Sequence, residues 1–196
     1  MQCALDLGER RPARLARPER VFFALLPHAM ASPAIKRVQD AWAARLPHGR
    51  PVPTERLHLS LLLIGDYELL RPRYVEAVRL AAARVAMRRF ELRLTTIRTF
   101  EGRPRRNGGA RPRPLVLLSE GLGVLELYAR LCDALGRDGP PPGAECRPHV
   151  TILYGAPPVP PQPIEPIPFP VSEFALIHHE RGYGRYNVLG RWSLLG

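Results

Sequence analysis

Two histidines each stand two residues before a hydroxyl-bearing residue, in His58-Leu59-Ser60 and His149-Val150-Thr151. An imidazole titrates near neutrality, so a pair of them can hold one proton-accepting and one proton-donating ring at the same pH. A hydroxyl beside each ring supplies a donor for the oxygens of an anion. Brought to one cleft, these four side chains can hold a phosphate and move protons on both sides of it.

Each motif heads an apolar run that closes on glycine: Leu59 to Gly65, and Val150 to Gly155. Runs of this length, bounded by Pro or Gly, are expected to form buried strands. Residues i and i+2 of a strand share a face. His58 and Ser60 are then expected on one face, with Leu57, Leu59 and Leu61 turned into a core. His149 and Thr151 are expected to pair likewise, opposite Val150 and Ile152.

Other chemistries compete for the same residues. Cys146 lies three positions before His149, so a nucleophilic Cys–His pair is an alternative, but the Ser/Thr pattern recurs in both halves and the cysteine does not. A metal held by His58 and His149 lacks a third ligand at suggestive spacing, and no metal is expected. The three cysteines, Cys3, Cys132 and Cys146, are odd in number with no CxxC pair, which fits a reducing compartment rather than a disulfide framework. His28 and His48 sit beside proline in turns and are expected at the surface. His178 and His179 end a strand that could reach the cleft.

The elements that position the motifs can be read along the chain. Arg20 to Leu26 is expected as a first buried strand, stopped by Pro27. Ser32-Pro33 signals a helix start, Ser at the N-cap and Pro at the first helical position, and Ile35, Val38, Trp42 and Leu46 continue it at helical spacing. Tyr74 to Met87 is a second helix. Phe90 to Thr95 alternates as a strand with one wet face and extends toward Phe100. Leu115 to Leu118 is a buried strand, and Leu122 to Leu135 a third helix closed by Gly136. Ala156 to Pro170 carries eight prolines and is expected as an extended, polyproline-like connection. Val171 to His179 and Tyr186 to Leu194 are strands flanking the Gly182-Tyr183-Gly184 turn.

Strand, helix and histidine strand thus occur twice. Val21 to His58 spans 37 positions and Leu115 to His149 spans 34, a regularity that suggests internal duplication. Two lobes about a rough two-fold axis would oppose the histidine strands across a groove. At 196 residues and 45% hydrophobic, the chain suits one domain built from two such lobes over residues 20–196, preceded by a flexible basic tail at 1–19. No apolar run approaches the ~20 residues of a membrane helix, and the N-terminus lacks a signal-peptide stretch, so a cytoplasmic monomer with no membrane partner is expected.

The net charge is +11, and Lys36 is the only lysine. Arginine suits bidentate phosphate contacts, although so complete a bias also reflects the coding composition of a genome. The Gly- and Pro-rich stretch from Glu101 to Pro114 carries Arg103, Arg105, Arg106, Arg111 and Arg113. It is either a solvated loop or a grip on a nucleotide backbone, and Arg103, Arg105, Arg106 and Arg111 are substrate-binding candidates. Tyr183 offers a base-stacking ring or marks an ordinary hairpin turn.

The segments Val21 to Leu25, Leu57 to Leu61, Arg113 to Leu117, Pro148 to Ile152, Glu173 to Leu176 and Tyr186 to Trp192 together resemble the 2H phosphoesterases, and among them the bacterial RNA 2′,3′-cyclic phosphodiesterases, or 2′-5′ RNA ligase family. The resemblance spans Arg20 to Leu195. It implies an α+β fold of two pseudo-symmetric lobes, each an antiparallel sheet with helices outside and the active site in the groove between. It implies His58 as general acid and His149 as general base, hydrolysing a 2′,3′-cyclic phosphate to a 2′-phosphate without a metal or other cofactor. Ser60 and Thr151 would stabilise the developing charge. With a 5′-hydroxyl replacing water, the same groups would form a 2′-5′ linkage. The partner implied is RNA or a nucleotide ending in a 2′,3′-cyclic phosphate. The alternatives are a small cyclic nucleotide, an ADP-ribose derivative or a 2′-5′ oligonucleotide as substrate, and an RNA-end binder without turnover. Ser60 stands where Thr is commoner, Leu63 where an aromatic is frequent, and Tyr154 where many members carry Arg. Strict alternation puts Tyr154 on the face opposite His149. Only a bulge would return it to the groove as a substrate-binding residue.

Overall fold

Both histidine motifs lie where two half-sheets meet. The computed structural model describes residues 18–101, 112–137 and 148–196. Its elements are β1 (Glu19–Leu25), α1 (Ala31–Arg45), β2 (Arg50–Pro51), a 3-10 turn (Thr54–Arg56), β3 (Leu59–Tyr67), α2 (Pro72–Ala82), β4 (Phe90–Thr99), β5 (Pro114–Glu120), α3 (Gly123–Ala134), β6 (His149–Tyr154), β7 (Gln162–Val171), β8 (Glu173–Glu180) and β9 (Arg185–Ser193). The fold is α+β.

The strands form one sheet in the order β7-β4-β5-β6-β3-β1-β8-β9, with β2 beside β6. All the named strand pairs are antiparallel. The order reads the same from either end: β3-β1-β8-β9 forms the first lobe and β6-β5-β4-β7 the second. The unit β1-α1-β3 of the first lobe corresponds to β5-α3-β6 of the second, as the duplication predicted. The lobes meet through β3 and β6, whose register is set by Leu59 opposite Val150. One residue back on one strand therefore faces one residue forward on the other, which brings His58 level with Thr151 and Ser60 level with His149.

One face of the sheet carries the main core and all three helices. Phe23, Phe174 and Trp192 pack there, Phe23 edge-on to both and Phe174 stacked on Trp192 at 5.3 Å. Burying a Leu or Phe side chain of this kind is worth about 1.5–3 kcal/mol. Helix α1 leaves the first lobe to pack on β6 and β7 of the second, and α3 packs on β3 and β4. The helices thus tie the lobes together. The other face holds a small cluster of Phe22, Ala24, Ala175 and Ile177, flanked by Leu26 and Tyr186. It forms the groove side of the first lobe.

Both histidine strands carry a bulge just after the hydroxyl residue. Ser60 faces Ala24 and Leu62 faces Phe23, so Leu61 is extra. Thr151 faces Val116 and Leu153 faces Leu115, so Ile152 is extra. A bulge lets two consecutive residues point inward and flips the phase of the residues beyond it. Leu61 with Leu62, and Ile152 with Leu153, are buried accordingly. Side chains from the opposite lobe's helical units hold these irregular backbones. The buried Gln39 of α1 donates through Nε2 to the carbonyls of Val52 and Ile152, both at 2.8 Å. Arg137, just past α3, donates to the carbonyls of Leu63 and Ile64 at 3.0 and 2.9 Å. Ile64 is itself a second extra residue of β3.

The sequence-based boundaries need four corrections. Helix α1 starts at Ala31 with Met30 as N-cap and no side-chain cap, so Ser32 lies inside the helix. The His28 carbonyl accepts from the amides of both Ala31 and Ser32, and that turn starts the helix early. Helix α2 begins with Pro72 at its first position and stops at Ala82, short of Met87. The proline-rich stretch is not a polyproline connection over its length: β7 pairs with β4 along most of it. Pro166, Pro168 and Pro170 occupy alternate positions of this edge strand, where an outward-facing N–H is dispensable. Finally, Glu19, the last residue of the segment read as tail, belongs to β1.

Candidate active site

His58 immediately precedes β3 and His149 opens β6. His58 and Ser60 share the groove face, as do His149 and Thr151, while Leu57, Leu59, Leu61, Val150 and Ile152 are buried on the other side. The His58 Nδ1 lies 2.7 Å from the Arg56 carbonyl, an acceptor, so Nδ1 carries the proton and donates. Nε2 is then left facing the groove, 3.0 Å from the Ser60 hydroxyl. The ring is wedged between Phe22 at 5.1 Å and the edge of Tyr186 at 5.5 Å. Ala24, opposite Ser60, contributes only a methyl, which leaves the imidazole room to lean this way. His149 rests edge-to-face against Phe100 at 4.8 Å, and the Arg98 guanidinium lies 5.8 Å from the Phe100 ring.

Burial holds His58 below the ordinary histidine range; its hydrogen bond to the Arg56 carbonyl opposes this, and the charges of His149 and Arg56 add to it. That His58 senses His149 places the two imidazoles in each other's field. His179 also faces the groove, packed on Tyr186 at 4.6 Å. Burial first, then Arg56, Arg20, Arg181 and His58, pull it down to about 4.

These depressed rings predict an acid-side loss of stability. The unfolded chain takes up protons on both near 6.5, while the folded chain takes them up only at lower pH. Their contribution is complete above that value and is lost as pH falls through the folded-state values. The thermal midpoint is expected to drop between about pH 7 and about pH 4, and to drop less in His179→Gln. An identical decline in both proteins would remove His179 from this account.

The bulge at Ile152 settles the position of Tyr154. The phase flip returns it to the face of His149 and Thr151, contrary to strict alternation, and its side chain is exposed. Its phenol interacts electrostatically with Arg20 and Tyr186 of the first lobe. The equivalent bulge puts Leu63 on the groove face beside Phe22. Tyr183 lies at the tip of the β8–β9 turn, 70% exposed, with the Arg185 guanidinium 5.6 Å from its ring. Gly184, at φ +66°, closes that turn, and a Cβ there would meet Arg56 Nη1 at 3.4 Å. The turn therefore abuts the residue that anchors His58.

Arg103, Arg105, Arg106, Arg111 and the Cys146 of the alternative nucleophilic pair lie outside the described residues, as do positions 1–17. Cys132 is buried in α3, His28 and His48 are exposed, and His178 turns away from the groove toward Glu19. Among the described residues no three His, Cys, Asp or Glu side chains gather as a metal site, and no helix is long and apolar enough to cross a membrane. A cavity of about 530 Å³ near Leu26, Glu55 and Arg191 borders Leu57 but neither imidazole. Sequence reasoning missed Arg56, Tyr186, Phe22 and Phe100 as supports of the imidazoles. The Tyr186 segment carried a signal only as a strand and as one of the stretches behind the family resemblance.

Residues 27–183 match the family model described as the 2′-5′ RNA ligase superfamily. No curated protein sequence matches the chain. Among solved structures the chain is similar to TT0787 of Thermus thermophilus, at 26% identity and a TM-score of 0.67 over 89% of this chain and 97% of that one. It is similar to Escherichia coli LigT complexed with 3′-AMP, at 28% identity and a TM-score of 0.65 over 91% of this chain and 99% of that one. LigT complexed with ATP gives 27% identity and a TM-score of 0.63 over the same shares, 91% and 99%.

Proposed function

Because this chain belongs to the 2′-5′ RNA ligase superfamily, we propose that it hydrolyses the 2′,3′-cyclic phosphodiester ends of RNA to 2′-phosphomonoesters, with His58 and His149 as acid and base. The observation that carries this is the register at Leu59 and Val150, which sets an imidazole–hydroxyl pair from each lobe about one point of the sheet. LigT has been solved complexed with 3′-AMP and with ATP, and a nucleotide in the groove of this chain would put its phosphate against this point.

In the reaction, His149 takes a proton from a water whose oxygen attacks phosphorus. The P–O3′ bond breaks on the opposite side, and His58 gives its Nε2 proton to the leaving O3′. The P–O2′ bond stays, so the product is a 2′-phosphate and a free 3′-hydroxyl. His149 ends protonated and His58 neutral, and exchange with solvent restores both. Ser60 and Thr151 donate to the non-bridging oxygens, where negative charge grows as water adds. A 5′-hydroxyl in place of water gives a 2′-5′ linkage by the same proton transfers. The proposed enzyme acts as a cytoplasmic monomer on RNA ends.

His58 must be protonated to act as the acid, yet burial disfavours its charge in the free protein. The anionic phosphate supplies the missing counter-charge and raises it. The kcat/KM profile reports the free enzyme and kcat the complex. With RNA ending in a 2′,3′-cyclic phosphate and EDTA present, both profiles are expected to be bell-shaped. The alkaline limb of kcat should lie at higher pH than that of kcat/KM. Coincident limbs would remove His58 as the acid, and activity lost to EDTA and restored by zinc or manganese would reject the two-histidine mechanism.

A further inference from the structure

One row of cross-strand partners runs over the groove face of the first lobe. Asp66 of β3 faces Arg20 of β1, Arg20 faces His179 of β8, and His179 faces Tyr186 of β9. Arg20 grips Asp66 through Nε and Nη2 at 2.6 and 2.8 Å, and Arg181 approaches the same carboxylate at 3.4 Å. Arg56 lies 4.9 Å from the Tyr186 ring centre and acts electrostatically on His179. Two guanidinium groups thus hold one carboxylate at one end of the row, and a third, that of Arg56, stands by Tyr186 at the other end. The neighbouring acids Glu19 and Glu180 engage His178 and Asn187, side chains of the opposite face.

We propose that this arginine row is a second anion subsite, which binds the phosphodiester on the 5′ side of the terminal ribose and so selects RNA ends over free cyclic nucleotides. It rests on the function proposed above. If His58 protonates O3′, the ribose must lie over the lobe that carries His58. From the Ser60–Ala24 row the strand runs four residues back to Arg20, or ~13 Å at ~3.3 Å per residue. Between the imidazole and the arginines lies the partly exposed Tyr186 ring, backed by the buried Phe22 and Ile177, an apolar surface suited to a ribose and its base. The next phosphate along the chain then comes within reach of long arginine side chains. His179, low in pKa, stays neutral there, so the charge of the row is that of guanidinium groups, which bind phosphate in fork geometry.

The test compares kcat/KM on two dinucleotides that both end in a 2′,3′-cyclic phosphate. One has the natural internal phosphodiester, and the other a neutral methylphosphonate there. The mononucleoside 2′,3′-cyclic phosphate is assayed alongside. Wild type is expected to prefer the charged linkage about tenfold, the worth of one charge-assisted hydrogen bond. Arg181→Gln should reduce the ratio toward one, and Asp66→Asn should raise it by releasing the guanidinium groups. Each ratio is taken on one protein, so partial loss of folded enzyme cancels. A merely structural ion-pair cluster predicts no rise in Asp66→Asn. A wild-type ratio near one, or one ratio shared by all three proteins, overturns the subsite, while turnover of the mononucleoside cyclic phosphate leaves the proposed function standing. No turnover of any of the three substrates overturns both.

Discussion

Alanine at His149 is expected to lower kcat on a 2′,3′-cyclic phosphate by about 10²–10⁴-fold, the usual loss for a general base. The same change at His58 is expected to cost as much. His58 is the more constrained ring: the Arg56 carbonyl fixes its tautomer, and Phe22 and Tyr186 fix its plane. His58→Asn keeps a donor toward that carbonyl but cannot transfer a proton, so it should be as inactive as His58→Ala while better folded. Residues that act as a unit are not additive. The double variant is therefore expected to lose far less than the product of the two single losses. RNA-end binding should survive in part, because the groove arginines remain. Steady-state kinetics with a parallel binding titration checks both points. Undiminished kcat in either single variant would reduce that motif to a structural strand.

The second large effect is expected at the hydroxyls. Ser60→Ala and Thr151→Ala should each lower kcat by about 10²–10³-fold, the scale of one lost donor to a developing oxyanion. Neither hydroxyl side chain is fully buried, so folding should be intact, and circular dichroism with thermal melts checks this. Ser60 also lies 3.0 Å from His58 Nε2, so its loss should shift the alkaline limb of the pH profile as well. Ser60→Thr keeps the hydroxyl and is expected to retain most of the activity. A loss in Ser60→Thr equal to that in Ser60→Ala would assign the residue to packing instead.

The motifs were legible because their chemistry and periodicity are local. His58 and Ser60, or His149 and Thr151, share a face by strand geometry alone, and the buried leucines and valines between them mark the other face. The repeated strand–helix–strand order gave the two lobes and their opposition. The bulges were not legible, because Leu61 and Ile152 look like any other apolar residue of a buried run. Their extra position depends on the register with β1 and β5, a non-local property. Alternation alone therefore sends Tyr154 to the opposite face, and it reaches the groove only through the Ile152 bulge. Gln39 was hidden for the same reason: its partners, the carbonyls of Val52 and Ile152, come together only when α1 crosses to the second lobe. The proline-rich stretch misled because its composition suits an exposed coil, whereas Ile167, Phe169 and Val171 alternate inward and β4 accepts the strand at its edge.

Identification of the product tests the central claim most directly. RNA ending in a 2′,3′-cyclic phosphate would be incubated with the wild-type protein and with the His58→Ala, His149→Ala double variant, and the product followed by phosphorus NMR. The account predicts a 2′-phosphomonoester from the wild type, at a rate the double variant falls short of by orders of magnitude. A 3′-phosphomonoester, or the same rate from both proteins, would contradict it.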